Sequence, residues 1–179
     1  MIRFIITVCF VILYLIVTIP VLLTIWLIGL RKPQVRDKAA RAMIRWAFST
    51  ILKIDGVTIT ALGQERIPKD QAVLYIGNHR SFFDILLTYV LVPDLTGFVA
   101  KKELSKFPVF KVWMKYIHCL FLDRSDIKEG LKMILAGAEK IKQGISIFIF
   151  PEGTRSNGPD ELDMLEFHNG SLKMASKAN

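Results

Sequence analysis

The stretch Gly144-Ile-Ser-Ile-Phe-Ile-Phe-Pro-Glu-Gly-Thr-Arg155 decides the reading of the fold. Ile145 to Phe150 is almost wholly apolar, and the chain then turns abruptly polar at Glu152. Alternating polarity would mark a strand with one wet face. A short continuous apolar run between glycine and proline marks a strand buried on both faces, as at the centre of a parallel sheet. Just upstream, Ile127, Leu131, Ile134, Leu135, Ala138 and Ile141 recur at helical spacing. Ser125 is placed to cap that helix and Gly144 to end it. The unit is therefore helix, tight turn, buried strand, polar end.

The same unit repeats along the chain. Gln71 to Ile76, Leu95 to Ala100 and Cys119 to Leu122 read as further strands, and Val57 to Leu62 as a short alternating one. Helices are predicted over Asp37 to Leu52 and from Ser81 to just before Pro93. Ser81 is a plausible N-cap, with Asp84 three residues on to close a capping box. Alternating helices and strands define an α/β fold, here a mixed, largely parallel sheet flanked by helices. Three of the strands end in polar clusters: Asn78-His79, Asp123-Arg124 and Glu152-Gly153-Thr154-Arg155. If these strands run parallel, all three clusters share the carboxyl rim, where open α/β sheets bind ligands.

The chain has 179 residues, one domain's worth, is 52% hydrophobic and carries a formal charge of +8. Such a charge suits nucleic acid, an anionic membrane or a phosphorylated substrate. The apolar excess sits at the start: Phe4 to Leu30 contains no charged residue, and Arg31, Lys32, Arg36 and Lys38 follow it. The run is longer than a signal-peptide core and lacks a small-x-small cleavage site. It is expected to attach the chain to a membrane, either as a spanning helix kinked at Pro20 or as a hairpin of two helices within one leaflet. The basic residues that follow place the body on the cytoplasmic side. With an anchor present, lipid explains the basic charge more simply than nucleic acid. Lys101 to Tyr116 mixes lysines with Leu104, Phe107, Phe110 and Trp113. It reads either as a core-packed helix pair with a lysine rim or as an interfacial segment, broken at Pro108.

His79 is suited to take a proton near neutral pH, and a carboxylate on its other ring nitrogen would fix the tautomer. Five residues on one helix rotate by about 500°, so His79 and Asp84 meet only if His79 precedes the helix and Asp84 lies in its first turn. The plain alternatives are a hydrogen-bonded loop histidine and a capping aspartate. Arg124 and Arg155 suit a phosphate, or pair with Asp123, Asp126 or Glu152. Glu152 would repel a phosphate and is expected to orient Arg155 or a backbone turn. Ser81, Ser146 and Cys119 lack the partners of an activated nucleophile. The histidines show no metal-binding spacing, and no phosphate loop or dinucleotide fingerprint is present.

These residues resemble the 1-acyl-sn-glycerol-3-phosphate acyltransferases of the glycerolipid acyltransferase superfamily. Asn78-His-Arg-Ser-Phe-Phe-Asp84 matches that family's Asn-His-x-x-x-x-Asp block, Phe121-Leu-Asp-Arg124 a second block and Phe150-Pro-Glu-Gly-Thr-Arg-Ser156 a third. The resemblance covers about residues 40–172 and implies an anchor over 1–32 and an acyltransferase domain over 33–179. It implies His79 as base and Asp84 as its orienting partner, with Arg124, Glu152, Gly153, Thr154 and Arg155 forming the acceptor site. It further implies no cofactor, with acyl-coenzyme A or acyl carrier protein thioester as donor and lysophosphatidic acid as acceptor. The product would be phosphatidic acid, made on the cytoplasmic face of the bacterial inner membrane or another cytoplasm-facing membrane. Glycerol 3-phosphate or another lysophospholipid are alternative acceptors, and an inactive lipid-binding remnant is the alternative to an enzyme. The family pattern continues past Phe167-His-Asn-Gly170 with a further strand and a Pro-containing block, so the domain is expected to be incomplete at its C-terminus.

Overall fold

The computed structural model of the protein describes residues 1–123, 126–160 and 162–178. Four strands, β1 (Leu74–Ile76), β2 (Thr96–Lys101), β3 (Leu120–Leu122) and β4 (Ser146–Ile149), form one sheet in the order β1-β4-β2-β3. All three pairings are parallel, with Leu74 beside Ile147, Thr96 beside Ser146 and Val99 beside Leu120. The apolar run that opened the sequence reading is thus an interior strand. Every residue of β4 is buried, and Ile147 is fully so. Burial of one such side chain contributes roughly 1.5–3 kcal/mol. Ser146 is accommodated because its hydroxyl accepts the Val73 N–H at 3.1 Å.

Seven helices surround the sheet among the described residues: α1 (Ile2–Val17), α2 (Ile19–Gly29), α3 (Pro33–Ile54), α4 (Phe83–Leu91), α5 (Pro108–Tyr116), α6 (Ile127–Lys142) and α7 (Lys173–Ala178). The N-terminal apolar run is two helices bent by 47°. The break falls at Thr18, two residues before Pro20, which occupies the first turn of α2 where its missing N–H costs nothing. No single helix among the described residues is long and apolar enough to cross a membrane, although the bent pair together has the length and composition.

The pair runs antiparallel along α3. Arg3 donates to the Asp55 carbonyl at the far end of α3, and Gly29 abuts Arg36 at its start. Between them, Leu22 and Ile25 join Ala40, Ile44, Tyr89 and Trp113 in one core cluster. The outer face of the pair, including Ile12, Leu13, Ile16, Leu23, Trp26 and Leu27, is exposed.

Three expectations from the sequence are corrected. Val57 to Leu62 forms no strand: no neighbouring strand pairs with it among the described residues, and Ile59 and Leu62 face outward. On α6, Ile127, Leu131 and Leu135 are exposed, while Met133, Gly137 and Ala138 are buried. The helix is rotated because Gly137 admits Met174 of α7, whose side chain lies where a Cβ would be. The cap of α6 is Asp126, which accepts the Lys128 N–H at 2.8 Å. Ser125, the expected cap, lies outside the described residues, as does Arg124.

A partly buried polar cluster ties α3, the turn before β3 and α6 together. Asp37 of α3 bonds Arg36 Nε at 2.7 Å and His118 Nε2 at 2.8 Å, and Lys140 of α6 reaches His118 Nδ1 at 3.1 Å. An ammonium only donates, so Nδ1 accepts and the His118 proton lies on Nε2, facing Asp37. Burial lowers the His118 pKa from its ordinary 6.5, opposed by the bond to Asp37 and reinforced by the Lys140 and Arg36 charges. The folded chain therefore binds fewer protons here than the unfolded chain does. The associated stability is complete above about pH 6.5 and is lost as pH falls through the lowered value. We expect the melting temperature to drop between pH 7 and pH 5, and to drop less in His118→Asn. Asparagine is chosen because residue 118 has a φ of 58°, which it tolerates. Equal pH dependence in both proteins would refute the assignment to His118.

Candidate active site

Because all strands are parallel, the residues following β1, β3 and β4 emerge on one rim. His79 follows β1, and its ring is fixed on two sides. Nδ1 lies 2.9 Å from Asp84 Oδ2, and the ring stacks on Phe150 with centroids 4.2 Å apart and planes inclined at 19°. Phe150 continues a stack into the core through Phe148 at 4.9 Å and Phe98 at 5.0 Å.

Asp84 stands in the first turn of α4 and does two jobs at once. Its Oδ2 also accepts the Arg80 and Ser81 N–H groups at 2.7 Å each, while Ser81 Oγ accepts the Phe83 N–H. The N-cap of α4 is Phe82 and not Ser81 as the sequence suggested, so Asp84 ties the turn before the helix to His79 through one oxygen. A carboxylate in this position accepts, so Nδ1 of His79 donates and Nε2 is left as the acceptor. Among the described residues Nε2 engages no hydrogen-bond partner.

Glu152, at the end of β4, is buried and holds the two motifs together. Its Oε1 accepts the His79 N–H at 2.6 Å and its Oε2 the Leu165 N–H at 2.8 Å. Its two carboxylate oxygens are thus held by backbone N–H groups and form no ion pair with Arg155 among the described residues. The Ser156 N–H adds a bond to the His79 carbonyl at 2.7 Å. Gly153 has a φ of 71°, a left-handed turn that favours glycine, and a Cβ there would lie 3.1 Å from the His168 ring. Thr154 and Arg155 are exposed, and the Arg155 guanidinium lies 3.9 Å above the Phe82 ring. Asp123, at the end of β3, receives Lys102 Nζ at 3.2 Å. It emerges two strands from β4, roughly 10 Å at ordinary strand spacing.

Two residues acquire roles that sequence reasoning did not assign. Phe150 is the platform for the His79 ring. Arg80 donates to the Gly158 and Asp160 carbonyls, pinning the loop after Ser156 against the first motif. The aromatic residue next to Pro151 was a visible signal for Phe150. Nothing in spacing could show that Arg80 reaches a loop some eighty residues away.

The arrangement rules out an activated protein nucleophile among the described candidates. The Ser81 hydroxyl accepts the Phe83 N–H, Ser146 is buried in β4, and burial pushes the Cys119 thiol up to about 12. What remains is an imidazole with one nitrogen fixed by a carboxylate and the other without a hydrogen-bond partner among the described residues. Fold and site thus define a parallel α/β protein with a carboxylate-paired histidine on the carboxyl rim of its sheet.

Comparison with known proteins places this class. The family model described as Acyltransferase matches residues 58–179. The chain is 35% identical over 152 residues to a probable 1-acyl-sn-glycerol-3-phosphate acyltransferase of Mycoplasma pneumoniae, covering 82% of this chain and 53% of that protein. It is 31% identical over 135 residues to the 1-acyl-sn-glycerol-3-phosphate acyltransferase of Borreliella burgdorferi, covering 75% and 53% respectively. The crystal structure of the 1-acyl-sn-glycerophosphate acyltransferase PlsC from Thermotoga maritima superimposes with a TM-score of 0.70 at 27% identity, covering 98% of this chain and 71% of that one. The chain belongs to the acyltransferase family. It spans about half the length of the curated relatives it matches.

Proposed function

We propose that the protein transfers a fatty acyl group from an acyl thioester to the free hydroxyl of 1-acylglycerol 3-phosphate, giving phosphatidic acid. The observation that carries this is His79, held through Nδ1 by Asp84, with no hydrogen-bond partner on Nε2 among the described residues. The acceptor hydroxyl oxygen attacks the thioester carbonyl carbon as Nε2 takes its proton. The tetrahedral intermediate then collapses, the C–S bond breaks, and the imidazolium returns the proton to the departing thiolate. No acyl-enzyme is needed, in keeping with the lack of an activated nucleophile among the described candidates. The donor is acyl-coenzyme A or an acyl carrier protein thioester.

Glu152 and Gly153 support the site by holding its backbone, whereas Thr154 and Arg155 are free to meet the acceptor. Arg155, with Arg124 from the second motif, is assigned to the acceptor's phosphate. Arg155→Ala is expected to raise the acceptor KM about tenfold or more, since charge-assisted bonds contribute about 1.5–3 kcal/mol, while kcat changes less. Initial rates against acceptor concentration measure this, and an unchanged KM in both Arg124→Ala and Arg155→Ala sinks the assignment.

The protein is placed on a membrane by α1 and α2, with the catalytic domain on the cytoplasmic face. The pair is read as lying within one leaflet rather than crossing the bilayer. It packs against α3 along its whole length, and α3 carries Arg36, Lys38, Arg41, Arg45 and Lys53. A crossing would draw those charges to membrane depth, at about 2.5–3.5 kcal/mol each near the centre. The direct experiment supplies membranes containing the chain with lysophosphatidic acid and either acyl-coenzyme A or acylated carrier protein. Phosphatidic acid is read by mass spectrometry. No product with either donor from a correctly inserted chain would overturn the proposal.

A further inference from the structure

At the end of β2 the chain makes a single 3-10 turn, Lys102–Lys106, before α5. A 3-10 turn repeats every three residues, so Leu104 and Phe107 lie on the same side, and the Phe107 N–H closes the turn on the Leu104 carbonyl. Phe107 is 63% exposed and Leu104 36% exposed. Lys101, Lys102 and Lys106 are exposed around them, with Lys102 held by Asp123. The rest of this region is core-packed, since α5 buries Trp113, Met114 and Tyr116. Between Lys101 and Tyr116, the exposed large apolar side chains are therefore confined to Leu104 and Phe107.

The position of the turn is as informative as its composition. It lies on the carboxyl rim, the side that carries His79. It is also joined through α5 to the anchor: Trp113 Nε1 donates to Thr18 Oγ1 at the bend between α1 and α2, and the Trp113 and Tyr14 rings lie 6.0 Å apart. Six residues of helix, roughly 9 Å, separate Trp113 from Phe107. A second exposed ring, Phe82, stands on the same rim beneath the Arg155 guanidinium. Aromatic and aliphatic tips among lysines are the composition of a surface that seats in the headgroup layer, with apolar groups in the acyl boundary and ammonium groups among lipid phosphates.

We infer that Leu104 and Phe107, with Lys101 and Lys106, form a second membrane contact that seats the catalytic rim on an anionic phospholipid surface. The α1–α2 pair fixes the chain to the membrane, and this turn sets which way the rim faces. An acidic carrier protein is the competing partner for the lysines. The exposed Phe107 and Leu104 favour lipid, because a partner chosen by charge alone gives them no place to go. The inference builds on the proposed function, but its test reads contact and not turnover, so failure of one is distinguishable from failure of the other.

The test uses the full chain in vesicles of phosphatidylcholine alone or with phosphatidylglycerol. An environment-sensitive fluorophore is attached at Phe107→Cys in a Cys9→Ser, Cys119→Ala background. A separate sample labelled at native Cys9, which is exposed on α1, reports insertion of the anchor. We expect a blue-shifted, lipid-quenchable signal at position 107 that is strongest in anionic vesicles. Lys101→Gln with Lys106→Gln should reduce the seated fraction, shifting its equilibrium by about fivefold per lysine. Aqueous emission at 107 while Cys9 reports insertion overturns the inference. So does a signal indifferent to lipid charge, and so does a response only to an acidic carrier protein.

Discussion

His79→Ala is expected to abolish phosphatidic acid formation, lowering kcat by roughly 10²–10⁴-fold, the usual contribution of a positioned base. The chain should still fold and insert, because the ring contributes to packing mainly through its stack on Phe150. Asp84→Asn should approach the same loss by a different route. An amide can keep its carbonyl oxygen where the His79, Arg80 and Ser81 donors now share Oδ2, but it is neutral, so it holds the Nδ1 proton less firmly and no longer stabilises the imidazolium that forms on the ring. Product measured by mass spectrometry, alongside circular dichroism and vesicle flotation, separates lost chemistry from lost structure. Wild-type turnover in a folded His79→Ala chain would end the base assignment.

Glu152→Ala should be the most damaging single change to the site's structure. The side chain is buried and accepts two backbone N–H groups from segments far apart in sequence, His79 and Leu165. Each donor left without a partner costs roughly 1–3 kcal/mol, about 2–6 kcal/mol for the two. Native domains are stable by only about 5–15 kcal/mol. For a chain of this size the melting temperature should fall by roughly 5–20 °C, and activity should fall with it as the His79 backbone is released. Glu152→Gln keeps one acceptor and presents an NH2 to the other donor, so it should lie between wild type and Glu152→Ala. Thermal unfolding of the three proteins is the measurement. A Glu152→Ala chain as stable as wild type would show that the two bonds contribute nothing.

Both predictions concern residues visible in the sequence, but visible to different depths. The apolar run ending at Phe150 announced an interior parallel strand, and the parallel direction then placed His79 and Glu152 on one rim. Local patterns also located Asp84, because a capping position and a partner for His79 coincide in the first turn of α4. The duty of Glu152 was less legible. Its charge suggested a partner such as Arg155, whereas its partners are backbone N–H groups, which carry no residue-specific signature. The buried face of α6 was misread for a related reason: a helix with apolar residues on more than one side does not reveal which side meets Met174. Val57 to Leu62 has a strand's alternation, but a strand also needs a neighbour, and that is a property of the assembled sheet. The bend at Thr18 was signalled by Pro20, yet the seat of the bent pair on α3 depends on contacts that spacing alone does not encode.

The stack of His79 on Phe150 has a consequence for the timing of catalysis. Before reaction the imidazole is neutral and the stack is ordinary ring packing. In the proposed mechanism the ring becomes a cation as the acceptor hydroxyl loses its proton, and the negative face of Phe150 lies 4.2 Å beneath it. A cation over an aromatic face gains about 0.5–2 kcal/mol. That gain is absent from the resting enzyme and arises only as charge develops on the ring. Phe150 is therefore expected to favour the transition state over the bound substrate, contributing to kcat while leaving the affinity for acceptor and donor untouched.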